Sequence, residues 1–238
     1  MPNYIKNRLI INATIEKVVE IFNKYNTPIA AKLALAYSGQ IICKKKNTEE
    51  FSVGWFNPHT AVFSRREEDD VIGLPLGWEF EVKQGFDYFP DFEKIIPPPN
   101  DDAYKDLPNQ QQARNSENWW RTWNINNWGT KWNIMEPEKE DYKTFVFDTA
   151  WNGVPELMLN LSKQNPNVEF IYEYADEDTG CNCAAYKFLN GEVIEAYEPE
   201  NLSKEAYELA FKLRPEQKEY YNLVGNNYEY KDNDEDEN

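Results

Sequence analysis

Residues 143–174 read KTFVFDTAWNGVPELMLNLSKQNPNVEFIYEY, and the hydrophobic period changes twice along them. In residues 143–150, Phe145 and Phe147 alternate with Val146, which predicts a strand covered on both faces. Val154, Leu157, Met158 and Leu161 then stand at i, i+3, i+4 and i+7, the single buried stripe of an amphipathic helix. Pro155 suits the first turn of that helix and Asn165-Pro166 stops it. Beyond the stop, Val168, Phe170, Tyr172 and Tyr174 alternate with Glu169, Ile171 and Glu173, so a second strand follows.

Working outward, residues 184–189 and 192–197 flank Asn190-Gly191, a hairpin dipeptide because a type I′ turn needs positive φ at both central residues. A closing helix over residues 203–213 places Ala206, Leu209, Ala210 and Leu213 on one face, with Ser203 as its cap and Pro215 near its end. On the N-terminal side, residues 4–12 predict the first strand. Ile15, Val18, Val19 and Phe22 then give a helical stripe that starts near the capping residues Asn12 or Thr14. Residues 92–96 read as a short strand closed by Pro97-Pro98-Pro99, residues 109–127 as a helix through Trp123, and residues 128–133 as a strand. The small-residue apolar run 29–37, Lys44-Lys45-Lys46 and the aromatic-rich stretch 51–63 read as an inserted subdomain. Its Gly73, Pro75 and Gly77 are turn punctuation, since the Lys-Ser/Thr ending of a phosphate loop is missing.

Strand, helix, insertion, strands, helix, strands is the order of an α+β chain. It predicts a ferredoxin-like split βαβ, an antiparallel sheet with helices on one face, carrying an inserted subdomain and a C-terminal helix. The expected division is a core of residues 1–24 plus 86–199, an insertion at 25–85, the C-terminal helix within 200–226, and an acidic disordered tail at 227–238.

Charge narrows the function. The chain has a formal net charge of -17, which repels phosphate backbones and favours cationic partners. Residues 229–238 hold six acids against Lys231, and Glu67-Glu68-Asp69-Asp70 form a second acidic run. Both runs, with Asp234, Glu235, Asp236 and Glu237 in the tail, can present carboxylates to the arginines and lysines of a partner as DNA phosphates would; they can equally serve solubility alone. No run of about 18 apolar residues exists, and MPNYIKNRLI has no signal-peptide core, so a cytoplasmic protein with no membrane span is expected. Cys43, Cys181 and Cys183 lack zinc spacing and are expected to be reduced thiols without a metal role.

Six of the eight tryptophans, Trp119, Trp120, Trp123, Trp128, Trp132 and Trp151, lie between residues 119 and 151. They can fill a core, or Trp119, Trp120 and Trp128 with Asp148 can form a ligand platform that stacks bases or sugars. Arg121 and Lys131 are the cations nearby. Asp148 is the best single acid–base candidate, but its place at a strand end favours capping the turn of Thr149 and Asn152 over that role. His59 is the only histidine, which excludes a two-histidine metal site; neither a Gly-x-Ser-x-Gly elbow nor a His-Glu-x-x-His motif occurs. No catalytic residue, cofactor or metal is therefore expected.

Several segments in order resemble the YubB/Api92 family of phage and plasmid accessory proteins. The opening Met1-Pro2-Asn3-Tyr4 with Asn7 and Leu9 is similar to that family's start, where a tryptophan commonly replaces Tyr4. FEKIIPPP at 92–99 resembles its FEKIIPMP segment, Trp119-Trp120 and NWGTKW at 127–132 its NWGTKW box, and FDTAW at 147–151 the end of one of its strands. The resemblance covers residues 1–24 and roughly 86–199. It implies a ferredoxin-like fold without an iron–sulfur cluster, for which three cysteines are too few, and an origin in a phage, prophage or plasmid. The family has no agreed activity, so no catalytic residue is carried over. The expectation is a non-enzymatic accessory protein that binds a basic host protein and inhibits a defence nuclease, anti-CRISPR or anti-restriction in kind, by acidic mimicry of nucleic acid. Two alternatives stand beside it: an enzyme acting on a nucleotide or sugar through Asp148 and the tryptophans, and a factor associated with single-stranded nucleic acid.

Overall fold

The computed structural model describes residues 3–28, 39–45, 51–57, 62–64, 71–72, 78–80, 87–99, 117 and 119–231. The chain divides into two compact units, Met1–Tyr25 with Phe89–Asn238, and Asn26–Tyr88.

In chain order the first unit opens with strand β1 (Tyr4–Asn12) and helix α1 (Ile15–Tyr25). The second unit consists of strands: β2 (Thr27–Pro28), β3 (Gly39–Lys45), β4 (Phe51–Asn57), β5 (Val62–Ser64), β6 (Val71–Ile72), β7 (Trp78–Phe80) and β8 (Asp87–Tyr88). There β2 pairs with β8, and the others form an antiparallel sheet in the order β6-β5-β4-β3-β7. The run 29–37, Lys46, His59, Glu67–Asp70 and the 73–77 turn lie outside the described residues.

The first unit resumes with α2 (Phe92–Ile95), α3 (Trp120–Trp128), β9 (Met135–Lys139), β10 (Thr144–Ala150), α4 (Pro155–Gln164), β11 (Glu169–Asp176), β12 (Ala184–Leu189), β13 (Glu192–Tyr197) and α5 (Lys204–Leu213). A 3-10 helix (Pro215–Tyr220) and a hairpin of β14 (Tyr221–Val224) and β15 (Asn227–Tyr230) follow. Its six-stranded sheet runs β13-β12-β11-β1-β10-β9, every neighbouring pair antiparallel. Within it β11-β1-β10-β9 is the ferredoxin-like ladder. β1–α1–β9 and β10–α4–β11 each straddle a strand of the other, so two split βαβ units interlock. The β12–β13 hairpin widens the sheet on the β11 side.

Register fixes the two faces, because successive strand residues point to opposite sides. Leu9 stands opposite Phe145 on β10 and Tyr172 on β11, all fully or nearly fully buried. This face also carries Ile5, Ile11, Phe147 and Phe170, and it is covered by the two core helices. From α4, Leu157, Met158 and Leu161 are buried; from α1, Phe22 stacks against Phe145 at 5.8 Å. Each such side chain stabilises by about 1.5–3 kcal/mol on burial, so this face is the core. On the other face α5 seats Ala206, Leu209 and Ala210 on Ala175 and Cys183. Lys212 of α5 is ion-paired with buried Glu173, which Arg8 also approaches at 3.6 Å.

Several local expectations are corrected. The buried stripe of α1 is Val18, Ile21 and Tyr25, while Ile15 and Val19 are 57% and 49% exposed. The spacing is as expected but begins three residues later, because the Tyr25 hydroxyl reaches Gln164 Oε1 at 3.0 Å and fixes the helix's rotation. Residues 92–95 are helical, not a strand: the Asp91 carboxylate accepts from Glu93 N at 3.1 Å as an N-cap. Helix α3 continues past Trp123 to Trp128, and residues 129–133 are not a strand, since Gly129 ends the helix in the left-handed conformation, φ +79°. Residues 109–116 lie outside the described residues. Past α5, the stretch expected to finish as a helix by 226 and a tail from 227 is instead the 3-10 helix and the β14–β15 hairpin. Tyr221 and Tyr228 close on the rings of Tyr207 and Phe211, which ties the hairpin to α5. Residues 232–238, with Asp234, Glu235, Asp236 and Glu237, are outside the described residues.

Candidate functional site

The motifs of the sequence meet at the C-terminal end of β10. Trp128 is 3% exposed; its indole N–H donates to Ile96 O at 2.9 Å, and its ring meets Phe92 and Trp123 edge-on. Phe92 in turn stands edge-on to Phe147. Asn133 clamps the start of α2, donating to Asp91 Oδ1 at 2.7 Å and accepting from Phe92 N at 3.1 Å. After the Gly129 turn, the buried Thr130 hydroxyl donates to Ala150 O at 2.8 Å and accepts from Ala150 N at 3.1 Å. FEKII, NWGTKW and FDTAW thus form one continuous piece of core.

A buried polar chain holds the turn after β10. Asn7 Nδ2 donates to Thr149 Oγ1 at 2.9 Å, and Thr149 Oγ1 donates to Asn152 O at 2.7 Å. The Tyr172 hydroxyl donates to Asn7 Oδ1 at 2.5 Å and accepts from Val154 N at 2.7 Å. The turn is therefore held by Thr149 and not by Asp148. Asp148 lies on the opposite sheet face, directly across β1 from Lys6, whose ammonium is 2.9 Å from Oδ1.

That placement separates Trp128 from Asp148 within the expected platform. Trp128 packs through Phe92 on the Phe147 side of β10, and the adjacent Asp148 points to the other side. Trp119 and Trp120 pair with ring centroids 5.7 Å apart, and Trp120 is 40% exposed.

A different cluster is assembled instead. Trp151 is left-handed, φ +76°, a conformation uncommon for a bulky residue. It is held there by Trp151 N donating to Asn3 O at 2.9 Å and by Asn182 Nδ2 donating to Trp151 O at 3.1 Å. Two cations lie over its ring, the Arg121 guanidinium and the Lys131 ammonium, each 5.4 Å from the centroid. The Lys131 ammonium is also 3.9 Å from the Trp132 centroid. Among the described residues no carboxylate is ion-paired with either cation. Composition names these residues, but only the Gly129 turn and the end of β10 bring them together.

At one edge of the sheet, β13 is exposed along all six residues, with Val193, Ile194 and Tyr197 at 48%, 50% and 44%. Glu192 and Glu195 interrupt it and Glu198 and Glu200 follow. The opposite edge, β9, is blunted by Pro137 and a register shift. Alternation in residues 192–197 shows a strand; that neither face is covered depends on its place at the edge.

Cys181 and Cys183 are free thiols. Burial pushes the Cys183 thiol up to about 11, with Cys181 adding to the shift, and burial and Asp178 push Cys181 up as well. Both are poorer nucleophiles than an ordinary cysteine for that reason. Among the described residues no group of three His, Cys, Asp or Glu side chains could hold a metal ion, and no helix is long and apolar enough to cross a membrane.

No curated protein and no solved structure matches the chain. The model of a family described as a ferredoxin-like domain in Api92-like protein matches residues 127–214, from the NWGTKW box to the end of α5. Residues 127–214, which carry β9 to β13 with α4 and α5, are thus similar to the ferredoxin-like domain of Api92-like proteins, and β1 and α1, outside the match, complete the ferredoxin-like sheet.

Proposed function

We propose that the protein is a non-enzymatic accessory factor of a mobile element that binds a basic host protein. The observation that carries this reading is the open edge strand β13. With β12 its only neighbouring strand among the described residues, its other edge offers backbone groups and a Val193-Ile194 centre for β-augmentation, within a surface whose glutamates select the occupant. Like charges facing each other across a ladder are destabilising, so Glu192 opposes pairing with a second copy and favours an extended segment rich in Lys and Arg, whereas Glu195 is already ion-paired with Lys187 of β12. The net charge of -17 acts in the same direction at longer range. The partner class this charge fits is a nucleic-acid-binding defence enzyme, a CRISPR effector or restriction endonuclease, whose cationic cleft an acidic surface occupies in place of DNA.

The test is inhibition and binding of purified effectors of both kinds at low and high salt, with DNA as competitor. Binding that weakens with salt, competes with DNA and falls about tenfold in Ile194→Lys is the expected result. If no effector is bound or inhibited at low salt, the partner reading fails. If Ile194→Lys binds as tightly as the parent, β13 is not the docking strand.

A further inference from the structure

We infer that Arg121, Lys131, Trp132 and Trp151 form a binding site for a nucleoside phosphate. The starting observation is a charge imbalance: in a chain of 42 acids and net charge -17, two cations converge on one indole and no described carboxylate is paired with them. A phosphate monoester brings more charge than a carboxylate and three acceptor oxygens, enough to engage a guanidinium and an ammonium together. Arg121 also stands in the first turn of α3, where the helix dipole favours an anion.

The aromatic surroundings supply the second half of the ligand. Trp132 and Trp151 are half-buried, and Trp120, next to Arg121, is 40% exposed, so a flat base has indole surface beside its phosphate. The strained backbone of Trp151 is of the kind that persists where the surroundings over-determine it, and such outliers concentrate at binding sites. Here those surroundings are named: Asn3, Asn182 and the two cations. The acidic remainder of the surface sets the ligand's size. It repels a polyanion in proportion to its charge, whereas a mononucleotide carries only about two charges and is screened from distant carboxylates within about 8 Å at physiological salt. A free mononucleotide is therefore favoured over a strand.

Tryptophan fluorescence of the full chain at low salt reads the site directly. Titration with AMP should give saturable quenching, with affinity falling about tenfold or more in Arg121→Gln and in Lys131→Gln, and Lys131→Arg, which keeps the charge, should retain most of it. Circular dichroism of each variant checks that the fold is kept. Three parallel titrations separate the sources: inorganic phosphate, adenosine and an eight-residue oligothymidylate. Inorganic phosphate binding as tightly as AMP would overturn nucleoside recognition, and the oligonucleotide binding where AMP does not would overturn the mononucleotide class. No saturable response to AMP, or equal response in both charge-removing variants, sinks the site altogether. None of these outcomes depends on β13, so this site and the partner reading stand or fall separately.

Discussion

Asn7 shows how much one side chain can organise. It is fully buried, donates toward Ile5 O, Phe147 O and Thr149 Oγ1, and accepts from Tyr172. Asn7→Ala leaves the Tyr172 hydroxyl and the Phe147 carbonyl short of partners in the core, each costing about 1–3 kcal/mol. A loss of about 3 kcal/mol in urea unfolding is expected, and a loss under about 1 kcal/mol would show that the network is dispensable. Cys183 makes a pH-dependent prediction. Its thiol titrates near 9 in the unfolded chain and near 11 in the fold, so between those values the folded state holds the extra proton. Stability from this group is then intact below pH 9 and declines as pH rises toward 11. The measurement is the difference in unfolding free energy between the parent and Cys183→Ala from pH 8 to 10.5, which subtracts the titration of tyrosines and lysines. A difference that does not change across that range would contradict the shift.

At the scale of elements, Ser203 caps α5 by accepting from Ala206 N at 3.2 Å, and α5 is the element that covers the second sheet face. Ser203→Ala should cost about 1 kcal/mol in thermal or urea unfolding while leaving the β14–β15 hairpin in place, because that hairpin is held by Tyr207 and Phe211. No change in stability would mean the cap is replaced by water. This helix was legible in the sequence, as were β1, β10, α4 and β11, because each carries a period long enough to separate 2.0 from 3.6, and the β12–β13 hairpin was legible from Asn190-Gly191. Residues 92–95 were not, since a four-residue segment is too short to show a period and the choice is made by Asp91 and by Asn133, forty-two positions away. Residues 128–133 misled for a related reason: Trp128 and Trp132 suggest one face, but Gly129 turns the chain between them. The candidate sites were legible only as ingredients. Arg121, Lys131 and Trp151 are distant in sequence, and β13 is open because β12 is its only neighbouring strand among the described residues. Both facts belong to topology, which periodicity does not encode.

For the whole molecule the excess of carboxylates acts on the fold and on binding to the proposed basic partner with opposite signs in salt. Self-repulsion in a chain of net charge -17 is a long-range cost to the compact state. It is felt across about 30 Å at 0.01 M salt and only about 8 Å at 0.15 M. The pairs that tie the sheet together, Lys6 with Asp148 and Arg8 and Lys212 with Glu173, are short and half-buried or better on the acidic side, so the same salt weakens them much less. Raising NaCl from 10 to 150 mM should therefore raise the melting temperature, by a few degrees if about 1 kcal/mol of repulsion is relieved. Over the same interval, affinity for the basic partner proposed above should fall, because there the acids would meet cations across a solvent-exposed rim. Differential scanning calorimetry and binding to one effector, run in the same buffers, test both signs at once. A melting temperature that drops with salt would mean that exposed ion pairs outweigh the repulsion. An affinity that does not drop would mean that the partner is held by the apolar centre of β13, and that the glutamates around it act only against self-association.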